Sequence, residues 1–180
     1  MRRRELLQWI GMLTGCAFVG SDEALASAPA SSAADASIAL LDEIAETILP
    51  RTDTPGAKDA RVGAFIARYA AACYDETRQA ILKSGLVEIQ ARSRKEFGRS
   101  FERAGAAQKQ ALLTRIDAEA RRQQGQHAET PPHYFILLKQ LTLYGYFTSE
   151  IGATQVLRYR PIPGPYKGVI PYKKGETAWS

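Results

Sequence analysis

The chain has 180 residues, of which 45% are hydrophobic and 24% are charged, and its formal net charge at pH 7 is +5. These values are typical of a soluble globular protein with one domain large enough to bury a core. The mild positive charge suits an acidic partner or a phospholipid surface. Nucleic acid is a poor candidate as a partner, because the basic residues are spread through helical stretches and the sequence contains no recognisable nucleic-acid-binding module.

Residues 1–26 predict an export signal. Three arginines precede a short apolar run from Trp9 to Gly20, and Ala24-Leu25-Ala26 forms a small-x-small cleavage site. The Arg-Arg-x-Leu-Leu core resembles the twin-arginine signal, whose route exports proteins that have already folded. We therefore expect cleavage after Ala26 and a periplasmic location. The residues assigned to this signal are Arg3, Arg4, Leu6, Leu7, Ala24 and Ala26.

The two cysteines leave alternatives open. Leu13-Thr14-Gly15-Cys16 resembles a lipobox, which would make the protein a lipid-anchored scaffold; apolar sequence continues past Cys16, so cleavage after Ala26 is favoured. If Cys16 leaves with the leader, Cys73 stands alone. We expect Cys73 to be buried as a small hydrophobe, and the alternative is a disulfide with another subunit.

Five helices are predicted after a flexible linker at residues 27–36. The first begins near Ile38 and ends before Pro50, and acidic residues on it (Asp42, Glu43 and Glu46) are expected to face solvent. The second begins with Asp59 as its N-cap and ends near Tyr74. The third begins after Asp75 and ends at Gly98.

Two further helices complete the predicted domain, which covers residues 37–150. Phe101 is a core anchor before a fourth helix at about 106–123, and the fifth runs from about 133 to 150 after Pro131 and Pro132. Residues 151–180 lack a helical pattern and are rich in Pro, Gly and aromatic residues. The predicted fold is all-α, a single helical domain of about five helices with a long extended C-terminal arm.

No catalytic, cofactor-binding or metal site is predicted. The chain has two histidines, and no CxxC, HExxH or glycine-rich phosphate loop is present in the sequence.

The run from Leu141 to Tyr159 carries a family resemblance. Together with Ile48-Leu49-Pro50, the segment 53–57 and the ending Ala178-Trp179-Ser180, it resembles the gluconate 2-dehydrogenase subunit 3 family. The resemblance implies a small subunit, without a redox centre of its own, that bears the twin-arginine signal of a membrane-associated dehydrogenase for sugars or sugar acids. It also implies a large FAD-containing subunit of the glucose-methanol-choline type and, in many cases, a multihaem cytochrome c subunit.

The aromatic residues near the C-terminus are the predicted contacts with that large subunit. On the fifth helix, core packing is the alternative to an interface; on the arm an interface is favoured, because a Pro/Gly-rich segment cannot form a core alone. Arg158 is placed to bind a carboxylate of the partner. The predicted residues are Tyr144, Tyr146, Phe147, Arg158, Tyr159, Tyr166, Tyr172 and Trp179.

The hypothesis is therefore a non-catalytic subunit that escorts or stabilises a flavoprotein and reaches the membrane through the complex. The alternative is a stand-alone periplasmic ligand-binding protein, which would need a closed pocket with convergent polar groups.

Overall fold

The computed structural model describes residues 30–126, 131–162, 164–165, 168–171 and 173–179. Within these ranges the chain is helical and has no strand, which confirms the all-α prediction. The leader, with Cys16, lies outside the described residues. The helices are α1 (Ala30–Ile48), α2 (Val62–Cys73), α3 (Glu76–Phe97), α4 (Ala106–Gln126) and α5 (Tyr134–Phe147), with a 3₁₀ turn at Phe101–Arg103 and a π-helix at Gly152–Val156.

Helix α1 is longer at its start than predicted. It begins at Ala30, so the linker predicted for residues 27–36 is wrong from residue 30 onward. The segment 30–36 is rich in alanine, the residue with the highest helix propensity, and proline is absent from it. The predicted end is confirmed: the helix stops at Ile48, because Pro50 disfavours a helical conformation for the residue before it.

Helix α2 is capped by a residue of another helix, and the prediction that Asp59 caps it is wrong. Its N-cap residue is Arg61, which has a left-handed backbone (φ 52°) and no side-chain capping bond. The carboxylate of Asp42 in α1 instead accepts a hydrogen bond from the backbone N–H of Gly63 at 2.9 Å. Asp42 therefore satisfies one of the free N–H groups of the first turn.

Helix α3 has the two ends that the sequence predicts. The Asp75 carboxylate accepts a hydrogen bond from the N–H of Arg78 at 2.7 Å, and Gly98 takes the left-handed C-cap conformation with φ 67°. Phe101, which follows, is fully buried. The buried Gln90 side chain accepts a hydrogen bond from the N–H of Phe101 at 3.0 Å, which fixes the 3₁₀ turn against α3.

Helix α5 is the central element of the described fold, because it packs against α1, α2, α3 and α4. It begins one residue after His133, whose Nδ1 accepts a hydrogen bond from the N–H of Phe135 at 3.1 Å. Pro131 and Pro132 therefore precede the helix instead of occupying its first turn. It ends at Phe147, three residues before the predicted end. The core contains side chains from all five helices, including Leu41, Ile44, Ile66, Leu86, Ile89, Leu112, Leu113, Ile116, Leu138 and Leu141.

Candidate partner-binding surface

The end of α5 carries a block of four residues whose side chains have different environments. Tyr144 is 50% exposed and Phe147 is 38% exposed, whereas Tyr146 is 4% exposed. Gly145, between them, is buried. The helical repeat explains this pattern, because residues one and two positions apart point to different sides of a helix. The block thus contributes both to the core and to the surface.

Tyr144 is part of a cluster of aromatic rings that includes two residues of α2. Its ring centroid lies 5.6 Å from that of Phe65 and 5.5 Å from that of Tyr69, and both pairs have edge-to-face geometry. Tyr69 in turn lies 5.8 Å from Tyr74. These contacts hold the exposed Tyr144 ring in place. A ring that is already immobilised loses little conformational entropy when a partner covers it.

Two glycines allow the close approaches around this block, and the sequence analysis did not assign them a role. A Cβ atom on Gly145 would lie 2.5 Å from Cδ1 of Phe65, so glycine lets α2 and α5 approach each other here. A Cβ atom on Gly152 would overlap the backbone carbonyl oxygen of Tyr146. The N–H of Gly152 also donates to Oγ of Ser149 at 3.0 Å. The π-helix therefore folds directly against the end of α5, and the prediction that the tail lacks helix is wrong over Gly152–Val156.

Tyr146 is a core residue, so its prediction as a partner contact is wrong for this structure. Its ring is buried, and its hydroxyl donates a hydrogen bond to the backbone carbonyl of Pro55. Pro55 lies in the segment 49–61 that joins α1 to α2, which the family resemblance also includes. The tyrosine is thus used to fix this connection, since a buried hydroxyl needs an acceptor.

The acidic residues of α1 also bind the connection, and the expectation that they face solvent is wrong. Asp42, Glu43 and Glu46 are all partly buried. Glu46 accepts hydrogen bonds from the backbone N–H groups of Arg51 at 2.9 Å and Lys58 at 2.8 Å. Amides of an irregular segment have no ladder partners, and carboxylates are strong acceptors for them.

The charges of this cluster are balanced by lysines. Glu43 pairs with Lys58 and, at 2.7 Å, with Lys109 of α4. Burial alone would raise the pKa of Glu43, but the hydrogen bonds from Lys109 and Lys58 outweigh it, and the pKa lies below the ordinary value. For Asp42 burial dominates and raises the pKa, although the hydrogen bond from Gly63 opposes it. The geometry is that of a structural network that joins α1, the connection and α4.

Arg158 contacts residues of its own chain, and its role in binding a carboxylate of a partner stays a prediction. Its guanidinium carbon lies 4.2 Å from the ring centroid of Trp179, and Nη2 lies 3.4 Å from Oε2 of Glu176. Its backbone N–H donates to the carbonyl of Ala178 at 2.8 Å, within a single parallel bridge between residues 158 and 179. The two ends of the arm therefore meet, and the arm is a closed loop at its base.

The remaining predicted contacts of the arm are exposed where the structure describes them. Tyr159 and Trp179 are both about half exposed or more. Tyr166 and Tyr172 lie outside the described residues, and their role stays a prediction. Cys73 is exposed, so the expectation that it is buried is wrong. It ends α2 after two other exposed residues, so the last three residues of this helix lie outside the core. A disulfide with another subunit stays a prediction.

Two further observations concern metal binding and membrane crossing by the part of the chain that the structure describes. No three His, Cys, Asp or Glu side chains in this part of the chain are grouped so that they could hold a metal ion. None of the helices described combines the length and the apolar character required to cross a bilayer.

A comparison with protein families identifies the family of this chain. The model of the family described as gluconate 2-dehydrogenase subunit 3 matches residues 35–164, which is well over half of the chain. The chain belongs to the gluconate 2-dehydrogenase subunit 3 family. No curated protein and no solved structure matches the chain.

The family match covers nearly all of the features described above. Residues 35–164 include the carboxylates of α1, the connection that they bind, and the aromatic block at the end of α5. They also include Arg158 and Tyr159, whereas Trp179 lies beyond the match. As a member of this family, the chain is assigned to a dehydrogenase complex of several subunits.

Proposed function

We propose that this protein is the non-catalytic small subunit of an FAD-dependent dehydrogenase for sugars or sugar acids. In this proposal it folds with a flavoprotein of the glucose-methanol-choline type, which it escorts or stabilises. The twin-arginine leader predicted at residues 1–26 exports both proteins to the periplasm. FAD belongs to the large subunit, and haem c belongs to a third, cytochrome subunit where one is present.

The observation that carries the proposal is the distribution of exposed hydrophobic side chains. In the described part of the chain, the large hydrophobic residues that are exposed lie between Leu143 and Trp179, with the single exception of Val87 on α3. Aromatic residues are enriched where proteins bind one another, and a contiguous apolar surface rarely remains uncovered in a soluble protein. The end of α5 and the base of the arm are therefore the surface proposed to bind the flavoprotein.

Phe147 and Tyr159 offer the sharpest test of this surface. Phe147 is exposed, and its ring contact is with Tyr146 at 5.3 Å; Tyr159 is exposed on the arm. We expect Phe147→Glu and Tyr159→Glu each to weaken binding of the flavoprotein by about 30-fold or more, which corresponds to about 2 kcal/mol for an aromatic anchor. Titration calorimetry or co-purification measures the effect.

Val87→Glu is the matched control, because Val87 is equally exposed but lies apart from the surface, on α3. Thermal unfolding of each variant alone separates lost binding from lost folding. Unchanged binding by both glutamate variants, with normal folding, would place the interface elsewhere.

The escort role has a separate test in the leader. We expect Arg3→Lys combined with Arg4→Lys to retain both this protein and the dehydrogenase activity in the cytoplasm. The measurement is the activity of periplasmic and cytoplasmic fractions. Normal export of the flavoprotein in this variant would refute the escort role and leave the binding surface to be judged by the previous experiment.

A further inference from the structure

Between its two joined ends, the arm exposes aliphatic side chains that lie beyond the end of α5 and the base of the arm, the surface proposed to bind the flavoprotein. Val169 is 92% exposed, Ile162 is 80% exposed, and Ile170 is about half exposed. The residues at the base, Arg158 and Trp179, contact one another, so the intervening segment must leave the domain and return to it. In this segment, Gly164 and Gly175 have positive φ angles of 81° and 88°. This backbone conformation allows tight turns, and residues other than glycine rarely adopt it.

The cationic side chains of this loop outnumber its carboxylates. Arg160, Lys173 and Lys174 are all exposed. Glu176 is the single carboxylate side chain in the sequence after Glu150, and it is paired with Arg158 at the base of the loop. The loop therefore presents exposed aliphatic side chains with exposed cationic residues before and after them in sequence. A surface that complements the loop is apolar and anionic.

Prolines lower the cost of placing parts of the loop backbone next to an apolar phase. Pro161, Pro165 and Pro171 have no N–H group, so they have no donor to lose when water is removed. An N–H group without an acceptor is costly in hydrocarbon, and this cost normally keeps irregular loops out of the lipid phase. Pro161 and Pro171 therefore reduce this cost next to Ile162 and Ile170.

The residue types favour a lipid surface over a protein. Lysine is depleted in protein interfaces, and valine is under-represented among the side chains that dominate their affinity. Lysine and arginine close to an apolar segment are typical of proteins that bind anionic lipid, and tryptophan and tyrosine are typical of the interfacial level.

We propose that the loop 160–178 binds directly to the surface of an anionic phospholipid bilayer, with Ile162, Val169 and Ile170 in the acyl boundary and Arg160, Lys173 and Lys174 at the headgroups. This contact belongs to the small subunit itself and does not depend on the flavoprotein. It adds a direct attachment to the indirect attachment that the complex provides in the proposed function.

The test uses the full chain with Trp9→Phe, which leaves Trp179 as the single tryptophan. The probes are vesicles of phosphatidylcholine alone and vesicles of phosphatidylcholine with phosphatidylglycerol. We expect the emission of Trp179 to shift to shorter wavelength with the anionic vesicles, together with co-sedimentation that raised salt weakens. Fluorescence from Trp179 reports on the loop even if the leader also binds lipid.

Two variants of the loop identify the residues responsible. Each lysine near an anionic surface contributes about fivefold to binding, so Lys173→Gln with Lys174→Gln should lower the partition of the loop about 25-fold. Val169→Ser with Ile170→Ser should remove the emission shift. The matched control is Arg94→Gln with Lys95→Gln on α3, which removes the same charge from an exposed site outside the loop.

Three results would overturn the proposal. The first is an emission of Trp179 that does not change with either kind of vesicle. The second is an equal change with both kinds, and the third is an equal loss in the lysine pair and its control. If the lysine and aliphatic variants instead abolish binding of the flavoprotein and leave vesicle binding intact, the loop is a protein contact. Binding of the flavoprotein through Phe147 is unaffected by any of the first three results.

Discussion

Two segments of this protein have similar composition and opposite environments. The connection at residues 49–61 and the arm at residues 157–179 are both irregular and contain Pro-Gly or Gly-Pro sequences. The connection is held by Glu46, by Asp59, which accepts a hydrogen bond from Gly56 at 2.8 Å, and by the hydroxyl of Tyr146. The arm is closed by the contact between residues 158 and 179, and its described side chains are mostly exposed.

The comparison shows that the contacts available to an irregular segment, and not its composition, determine whether its backbone is held in place. The backbone amides of the connection find carboxylate acceptors on α1, and its Gly56 and Ala57 are buried. The arm has no comparable set of acceptors around its described residues, and it retains apolar side chains for other surfaces. The first segment therefore stabilises the fold, whereas the second is suited to binding.

The largest effect is expected at Gly152, where the rigid region ends. Gly152→Ala places a methyl group on the backbone carbonyl oxygen of Tyr146. The atoms it meets are backbone atoms of α5, which cannot move aside as a flexible side chain can. We expect a loss of about 3 kcal/mol in the free energy of unfolding, measured by urea denaturation. Gly105→Ala is the control, because its nearest neighbour is 3.5 Å away, and it should change stability by less than about 1 kcal/mol. Equal effects of the two substitutions would contradict the packing described here.

The connection itself is tested at Glu46. Glu46→Ala leaves the N–H groups of Arg51 and Lys58 without their acceptor, and we expect a loss of about 2 kcal/mol in the free energy of unfolding. Hydrogen exchange at these two amides should accelerate. Glu150→Ala removes an exposed carboxylate beyond α5 and should have little effect. An unchanged exchange rate in Glu46→Ala would show that the carboxylate does not hold the connection.

A smaller, pH-dependent effect is expected at His133, which caps the central helix. Burial lowers the pKa of His133 below the ordinary 6.5, and Nδ1 of the neutral ring accepts the hydrogen bond from the N–H of Phe135. The stability that this group contributes is therefore complete above pH 6.5 and is lost as the pH falls through the lower pKa of the folded state. We expect His133→Asn, which retains a capping acceptor, to remove this loss of at most about 1 kcal/mol.

The measurement for His133 is the free energy of unfolding at several pH values from neutral to mildly acidic. The two proteins should be about equally stable at pH 8 and should diverge only below about pH 6.5. The same acid-induced loss in both proteins would assign the effect to other groups, such as Glu43, whose lowered pKa causes a loss at more acidic pH.

The smallest effect on global stability is expected at the base of the arm. Trp179→Ala removes the ring that stacks on Arg158, and we expect a change below about 0.5 kcal/mol in the free energy of unfolding. Trypsin should nevertheless cut after Lys173 and Lys174 several-fold faster, because the end of the loop is released. Ile162→Ala, within the loop, is the control. Cleavage at the wild-type rate in Trp179→Ala would show that the stacking does not hold the loop closed.

The helices and their local end signals could be predicted from the sequence. Asp75 and Gly98 act on residues three or four positions away, so the pattern of neighbouring residues contains the information. The apolar repeat of α4 similarly identified Leu112, Leu113 and Ile116 as core residues. The family was also recognised from the sequence, because its most specific block is a continuous run at the end of α5.

The long-range contacts could not be predicted from the sequence. Asp42 and Gly63 are 21 positions apart, and Tyr146 and Pro55 are 91 positions apart. Without knowledge of which helices are neighbours, Asp42 is indistinguishable from a solvated carboxylate and Tyr146 from an exposed anchor. The apolar stretch before Cys73 predicts a buried side chain, whereas the last three residues of α2 are exposed.

The central position of α5 has a consequence for the synthesis of this protein. The four helices that pack around it all precede it in the chain, so none of them has its full set of apolar neighbours until Phe147 has emerged from the ribosome. Contacts between distant parts of a chain form late and slow folding. A nascent chain therefore exposes its unfilled interior through most of translation, and chaperones that recognise apolar segments have their opportunity to bind in that interval.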